Sequence, residues 1–143
     1  MINDVIINKS QVIKRCLDRI NEEYKGDVQN LHNYTKQDSI ILNLQRACEA
    51  AIDLAMHIIA EKNLGIPQSS RQAFDLLCQY NIIEKELAER LKAMVGFRNI
   101  AVHDYQTINL NIIQKIIEYH LGDFKIFTNK LLQMSQNSNN NFL

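Results

Sequence analysis

Residues 39–62, SIILNLQRACEAAIDLAMHIIAEK, constrain the fold more than any other stretch of this chain. Ile40, Leu44, Ala47, Ala51, Leu54, Ala55 and Ile58 recur at helical spacing, and Ile41, Cys48, Ile52 and Ile59 form a second stripe beside them. One stripe suffices for a helix covered on one side. Two adjacent stripes demand neighbours on more than one side, so this helix is expected at the centre of a bundle. Asp38 or Ser39 is the expected N-cap, and NLGIP is the stop, with Gly65 near the C-cap and Pro67 beyond it.

The flanking segments read as helices of the same kind. Val5, Ile6, Ile13, Cys16, Leu17, Ile20 and Tyr24 make one stripe before Gly26 and a polar run. SSRQAFDLLCQYNII predicts a short helix capped by Ser69 or Ser70, with Phe74, Leu77 and Cys78 inward. EKELAERLKAMVGF predicts another, carrying Leu87, Leu91, Met94 and Val95, which Gly96 is expected to weaken or end. A last long helix is expected over 107–132, with Thr107 as candidate cap. Its expected core side holds Ile112, Ile113, Ile116, Ile117, His120, Phe124, Phe127 and Leu131. No strand-like alternation or internal repeat appears. The expected fold is all-α, an antiparallel up-and-down bundle of four to five helices over 1–134, followed by an Asn-rich, disordered tail at 135–143.

Charge and cysteine usage narrow the function classes. A formal net charge of zero argues against a passive polybasic nucleic-acid binder, though not against a local basic site. Three cysteines with no CxxC pair read as reduced core residues. The opening residues lack a basic-then-apolar signal pattern, and no apolar run is long enough to span a bilayer, so a cytoplasmic protein with no membrane partner is expected.

Chemically able side chains collect in one octapeptide, RNIAVHDY, residues 98–105. In an uninterrupted helix Arg98 and His103 would point roughly 140° apart and could not share a site. A turn or helix end near Gly96 to Thr107 is therefore expected, to let them converge. Arg is a permanent cation whose planar fork suits phosphate oxygens, and His takes or gives a proton near neutral pH. Asn99 adds an uncharged donor and acceptor. This set suits attack of a ribose 2′-hydroxyl on the adjacent phosphate, with Arg98 stabilising the charge on phosphorus and His103 moving the proton.

The pattern Arg, four residues, His, one residue, Tyr resembles the HEPN domains, specifically the HepT-type toxins of bacterial toxin–antitoxin pairs. LQRACEAAIDLAMHII, GIPQSSRQAFDLL and LKAMVGFRNIAVHDY extend the resemblance over nearly the whole chain except the Asn-rich tail. It implies a metal-independent endoribonuclease toxin with no cofactor, acting as a homodimer with two motifs facing across the subunit interface. Arg98 and His103 would be catalytic and Asn99 supporting. Tyr105 corresponds to the tyrosine that a partner minimal nucleotidyltransferase antitoxin modifies with AMP, which silences the toxin. A two-fold axis would supply the second acid–base group that one His lacks. AMP on Tyr105 would add bulk and negative charge where an RNA phosphate binds.

Other readings stand beside this one. One is a non-catalytic dimeric adaptor or nucleotide-binding module that recruits a nucleotidyltransferase; another is a mere modification acceptor through Tyr105. Asn99 reads equally as a C-cap, and Asp104 as a cap of the last helix or as support for His103. His57 and His120 read as structural, His32 as solvated, and Arg90 and Lys92 as a solvated face. Gln45 and Arg46 are candidates to face the motif or an RNA strand. No glycine-rich phosphate loop, paired-Asp nucleotidyltransferase site or zinc-spaced His/Cys cluster is present in the sequence, so the AMP-transferring activity itself is not expected here.

Overall fold

A computed structural model describes residues 2–140, with side chains described for 4–137. It contains α1 (Ile2–Tyr24), a 3₁₀ turn (Val28–His32), α2 (Tyr34–Lys62), α3 (Ser70–Gln79) and α4 (Lys85–His103). A second 3₁₀ turn (Tyr105–Thr107), α5 (Leu110–Lys115), a π turn (Ile116–His120) and α6 (Leu121–Asn140) complete it. The last three run on without interruption as one long rod, so the bundle has five rods and, among the described residues, no strand. None of these helices is long and apolar enough to cross a membrane.

The two stripes of α2 do what their width demands. Ile40, Leu44, Ala47, Leu54, Ala55 and Ile58 are all fully buried, and α2 packs against α1, α3, α4 and α6. Phe74 of α3 meets Phe127 of α6 edge-to-face, ring centroids 5.7 Å apart, closing the core beside it.

Several boundaries differ from the sequence expectation. The N-cap of α2 is Asn33, whose side chain accepts from Lys36 N at 3.1 Å, so Asp38 and Ser39 both lie inside the helix. At the other end Asn63, not Gly65, takes the left-handed cap position (φ 54°), and Leu64 N reaches back to the Ile59 carbonyl at 3.0 Å. The Ser69 cap of α3 is found as expected, accepting from Gln72 N.

Gly96 does not end α4. A Cβ there would sit 2.7 Å from Arg71 Nη2, so its bare backbone makes room for a side chain of α3 while the helix continues. A glycine costs only about 1 kcal/mol in a helix interior, a sum that burial of Met94, Val95, Phe97 and Ala101 outweighs.

The last rod starts at Leu110 under an Asn109 cap, and Thr107 belongs to the preceding 3₁₀ turn. The π turn shifts the phase of its apolar stripe. Ile113, Ile116 and Ile117 face the core, Ile112 is half exposed rather than inward, and Leu121 takes the buried place expected of His120. α6 stays helical through Asn140, past the tail boundary expected at 134, and Ser135 is buried; residues 141–143 lie outside the described residues.

Buried polar links tie this rod to the others. Arg90 Nε donates to Asp123 Oδ1 at 2.9 Å, and His120 Nδ1 lies 3.3 Å from Asp123 Oδ2. The Tyr24 hydroxyl donates to Glu118, and burial, then that carboxylate, pushes the phenol up to about 12. Arg90 is therefore an ion-pair partner rather than a solvated charge. Lys92 is likewise held, by Asp75 at 2.9 Å and Glu89 at 3.3 Å.

Candidate active site at the end of the fourth helix

Arg98, Asn99 and His103 all lie on α4, and His103 is its last residue. The helix ends after His103, inside the expected window from Gly96 to Thr107 but past both groups, so Arg98 and His103 stay on one regular helix. Within one chain the guanidinium and the imidazole therefore leave the helix roughly 140° apart and do not converge.

Arg98 points toward α2. Its Nη2 lies 3.5 Å from Glu49 Oε2, Glu49 in turn accepts from Gln45 Nε2 at 3.2 Å, and Arg98 Nη1 donates to Asn99 Oδ1 at 3.1 Å. Arg98 Nε is buried without a hydrogen-bond partner among the described residues. The side chain as a whole keeps 29% of its surface exposed, and phosphate oxygens are acceptors that its planar fork suits. Asn99 sits mid-helix, so it caps nothing; its amide lies against the guanidinium.

His103 is exposed, and no side chain or carbonyl among the described residues bonds its ring. Asp104 ends α4 through its backbone: its N–H donates to the Ile100 carbonyl at 2.8 Å, and its carbonyl accepts from Thr107 N and Oγ1. Its side chain caps neither the 3₁₀ turn nor the last helix, contrary to the expected cap.

Tyr105 stands on the 3₁₀ turn, 40% exposed, and its hydroxyl donates to Asp38 of α2. Burial, then the bond to Asp38 and its charge, push the phenol up to about 12. Two partners on α2 are not legible in the sequence, Glu49 of Arg98 and Asp38 of Tyr105. Asp38 has the side-chain chemistry of a cap, and no local signal distinguishes a cap from a partner sixty-seven positions away.

Among the described residues no group of three or more His, Cys, Asp or Glu side chains is arranged to hold a metal ion. His57 is partly buried with Nε2 unpartnered among the described residues, and His32 is exposed.

Residues 12–131 match the family described as Ribonuclease HepT-like. The chain belongs to this family. HepT-like relatives extend the match over most of the chain. The mRNA nuclease HepT of Shewanella oneidensis is 55% identical over 126 residues, 88% of this chain and 95% of that protein. The tRNA nuclease HepT of Aphanizomenon flos-aquae is 27% identical over 128 residues, 89% of this chain and 87% of that one. Among solved structures, a tri-AMPylated Shewanella oneidensis HEPN toxin in complex with an MNT antitoxin superposes with a TM-score of 0.85 at 54% identity, covering 90% of this chain and 97% of the toxin. The all-α HEPN-type bundle expected from sequence is therefore the fold of a HepT-like chain.

Proposed function

We propose that this protein is the toxin of a toxin–antitoxin pair, a metal-independent endoribonuclease that acts in the cytoplasm as a homodimer. The observation that carries the reading is the pair formed by Arg98, its guanidinium held by Glu49 and Asn99 yet partly exposed, and His103, unpartnered on the last turn of the same helix. Their divergence in one chain explains why a dimer is needed. With two α4 ends meeting across a two-fold axis, Arg98 of one protomer and His103 of the other reach the same phosphate.

An apolar groove of about 450 Å³ beside the motif supports that pairing, lined by Met94, Phe97, Ile100, Ile108, Ile112 and Ile116. Ile100 and Val102 are 45% and 43% exposed next to His103, a surface that a second copy would cover.

The reaction follows from the side chains. One His103 takes the proton from a ribose 2′-hydroxyl, whose oxygen attacks the adjacent phosphorus. Arg98 and Asn99 stabilise the charge that builds on the non-bridging oxygens. The 5′-oxygen leaves with a proton from the partner's His103, and a 2′,3′-cyclic phosphate remains.

Tyr105, two residues beyond His103, is the proposed acceptor of AMP from a nucleotidyltransferase antitoxin. Each AMP places a phosphate beside the cleft and repels the RNA backbone. Purified protein is expected to cleave RNA in the presence of chelator, to spare a substrate with a 2′-deoxy nucleotide at the scissile position, and to lose activity by several hundred-fold or more in His103→Ala. Undiminished cleavage by that variant would remove the mechanism. RNA binding with no cleavage by wild type would favour an adaptor instead.

A further inference from the structure

α2 carries a second feature that the reaction above does not use. A cleft of about 470 Å³ opens between α1 and α2, with Arg15, Arg19, Asn43 and Arg46 on its walls and buried Cys16 among its lining residues. The ion pair Lys9–Asp53, 3.0 Å, marks the antiparallel register of the two helices. About two turns further along, that register brings Arg15 and Cys16 beside Arg46, and Arg19 beside Asn43.

The charges in the cleft do not balance locally. Its two carboxylates are already engaged, Glu22 by Arg19 at 3.6 Å and Asp18 by Lys14 at 2.8 Å. Arg15 and Arg46 have no ion pair or hydrogen bond among the described residues. Both guanidiniums act on the Cys16 thiol, which burial nonetheless pushes up. Two like charges held beside one cleft, in a chain of zero net charge, repel each other unless an anion lies between them.

The cleft also adjoins the motif. Arg46 lies three residues before Glu49, the carboxylate that holds Arg98, so it sits about 4.5 Å back along α2 and roughly 60° around it. We infer that this α1–α2 cleft is a phosphate-binding subsite for the RNA strand, in which Arg15 and Arg46 hold a backbone phosphate a few nucleotides from the scissile one at Arg98. The inference rests on the ribonuclease reading for its ligand. Guanidinium forks on the walls of a helix–helix groove suit a sequence-independent backbone contact, which positions the strand without reading its bases.

The test uses the full chain and its Arg15→Gln/Arg46→Gln double variant; both side chains are exposed, so folding is expected to be unchanged. The probe is a fluorescent single-stranded RNA built of 2′-O-methyl nucleotides, which binds but cannot be cut. The double variant is expected to bind it about tenfold or more weakly, with a salt slope lower by roughly one, and Arg15→Lys/Arg46→Lys to recover most of the affinity. On cleavable RNA the same change raises KM and leaves kcat unaltered.

Equal affinity and equal salt slope in the double variant would overturn the subsite, as would a wild-type protein that does not hold the probe. Loss of the complex with the nucleotidyltransferase, with RNA binding intact, would assign the cleft to a protein partner and overturn it equally. If wild type binds the probe through these arginines yet never cleaves RNA, the nuclease reading fails and the subsite stands.

Discussion

At the scale of single residues, the side chains around the motif are held by contacts from α2 rather than by their own helix. Glu49 engages Arg98, and Asp38 accepts the Tyr105 hydroxyl. The second contact has a pH signature. Tyr105 is pushed from 10.0 to about 12, first by burial and then by the bond to Asp38 and its charge. Because the folded state holds the proton more tightly, its contribution to stability is fully present below pH 10 and lost as pH rises toward 12. In Asp38→Asn the charge disappears and burial remains, so the phenol is expected to ionise at a pH below that of wild type. Phenolate absorbance, with Tyr105→Phe subtracted to remove the other tyrosines, reads this directly. An unchanged titration would mean that Asp38 does not hold the hydroxyl in solution. If Tyr105 accepts AMP as proposed, Asp38 stands where it can take the phenolic proton as the oxygen attacks a nucleotide phosphorus, and the same variant is then expected to accept AMP more slowly.

The helices themselves show how weakly local preference governs boundaries. A cap side chain is worth about 1 kcal/mol, and an interior glycine costs about as much. α2 begins at Asn33 although Asp38 and Ser39 offer equally good caps, and α4 passes through Gly96 although the residue favours a break. Gly96 is accordingly a position where stability can be gained. The atom a new Cβ would meet, Arg71 Nη2 at 2.7 Å, is the tip of a flexible, exposed side chain that can swing aside. Gly96→Ala is expected to stabilise the fold by about 0.5–1 kcal/mol, seen as a rise of a few degrees in Tm. A lower Tm would show that the Arg71 contact across α4 matters more than helix propensity. The π turn makes the same point in the last rod: it moves Ile112 outward and Leu121 inward, which no regular 3.6-residue period predicts.

For the whole molecule, the proposed site puts the decisive geometry between copies. The proposed reaction uses His103 of both protomers, one as base and one as acid, so a mixed dimer with one His103→Ala subunit is expected to be inactive. Wild type mixed with excess His103→Ala through unfolding and refolding is expected to lose cleavage in step with the fraction of mixed dimers. Mixed dimers that keep half of wild-type activity would place all the reacting groups of one site on a single chain. The fold class and the central position of 39–62 were legible in the amino-acid sequence, as was the octapeptide proposed to carry the chemistry, because apolar periodicity and side-chain type are properties of short stretches. The capping of α2 by Asn33, the continuation of α4 past Gly96, the pairing of Tyr105 with Asp38 and of Arg98 with Glu49, and the placing of Arg15 and Arg46 along one cleft were decided only by the tertiary structure. Each of these joins residues far apart along the chain, or turns on a difference of about 1 kcal/mol in local preference that the burial of a single apolar side chain exceeds.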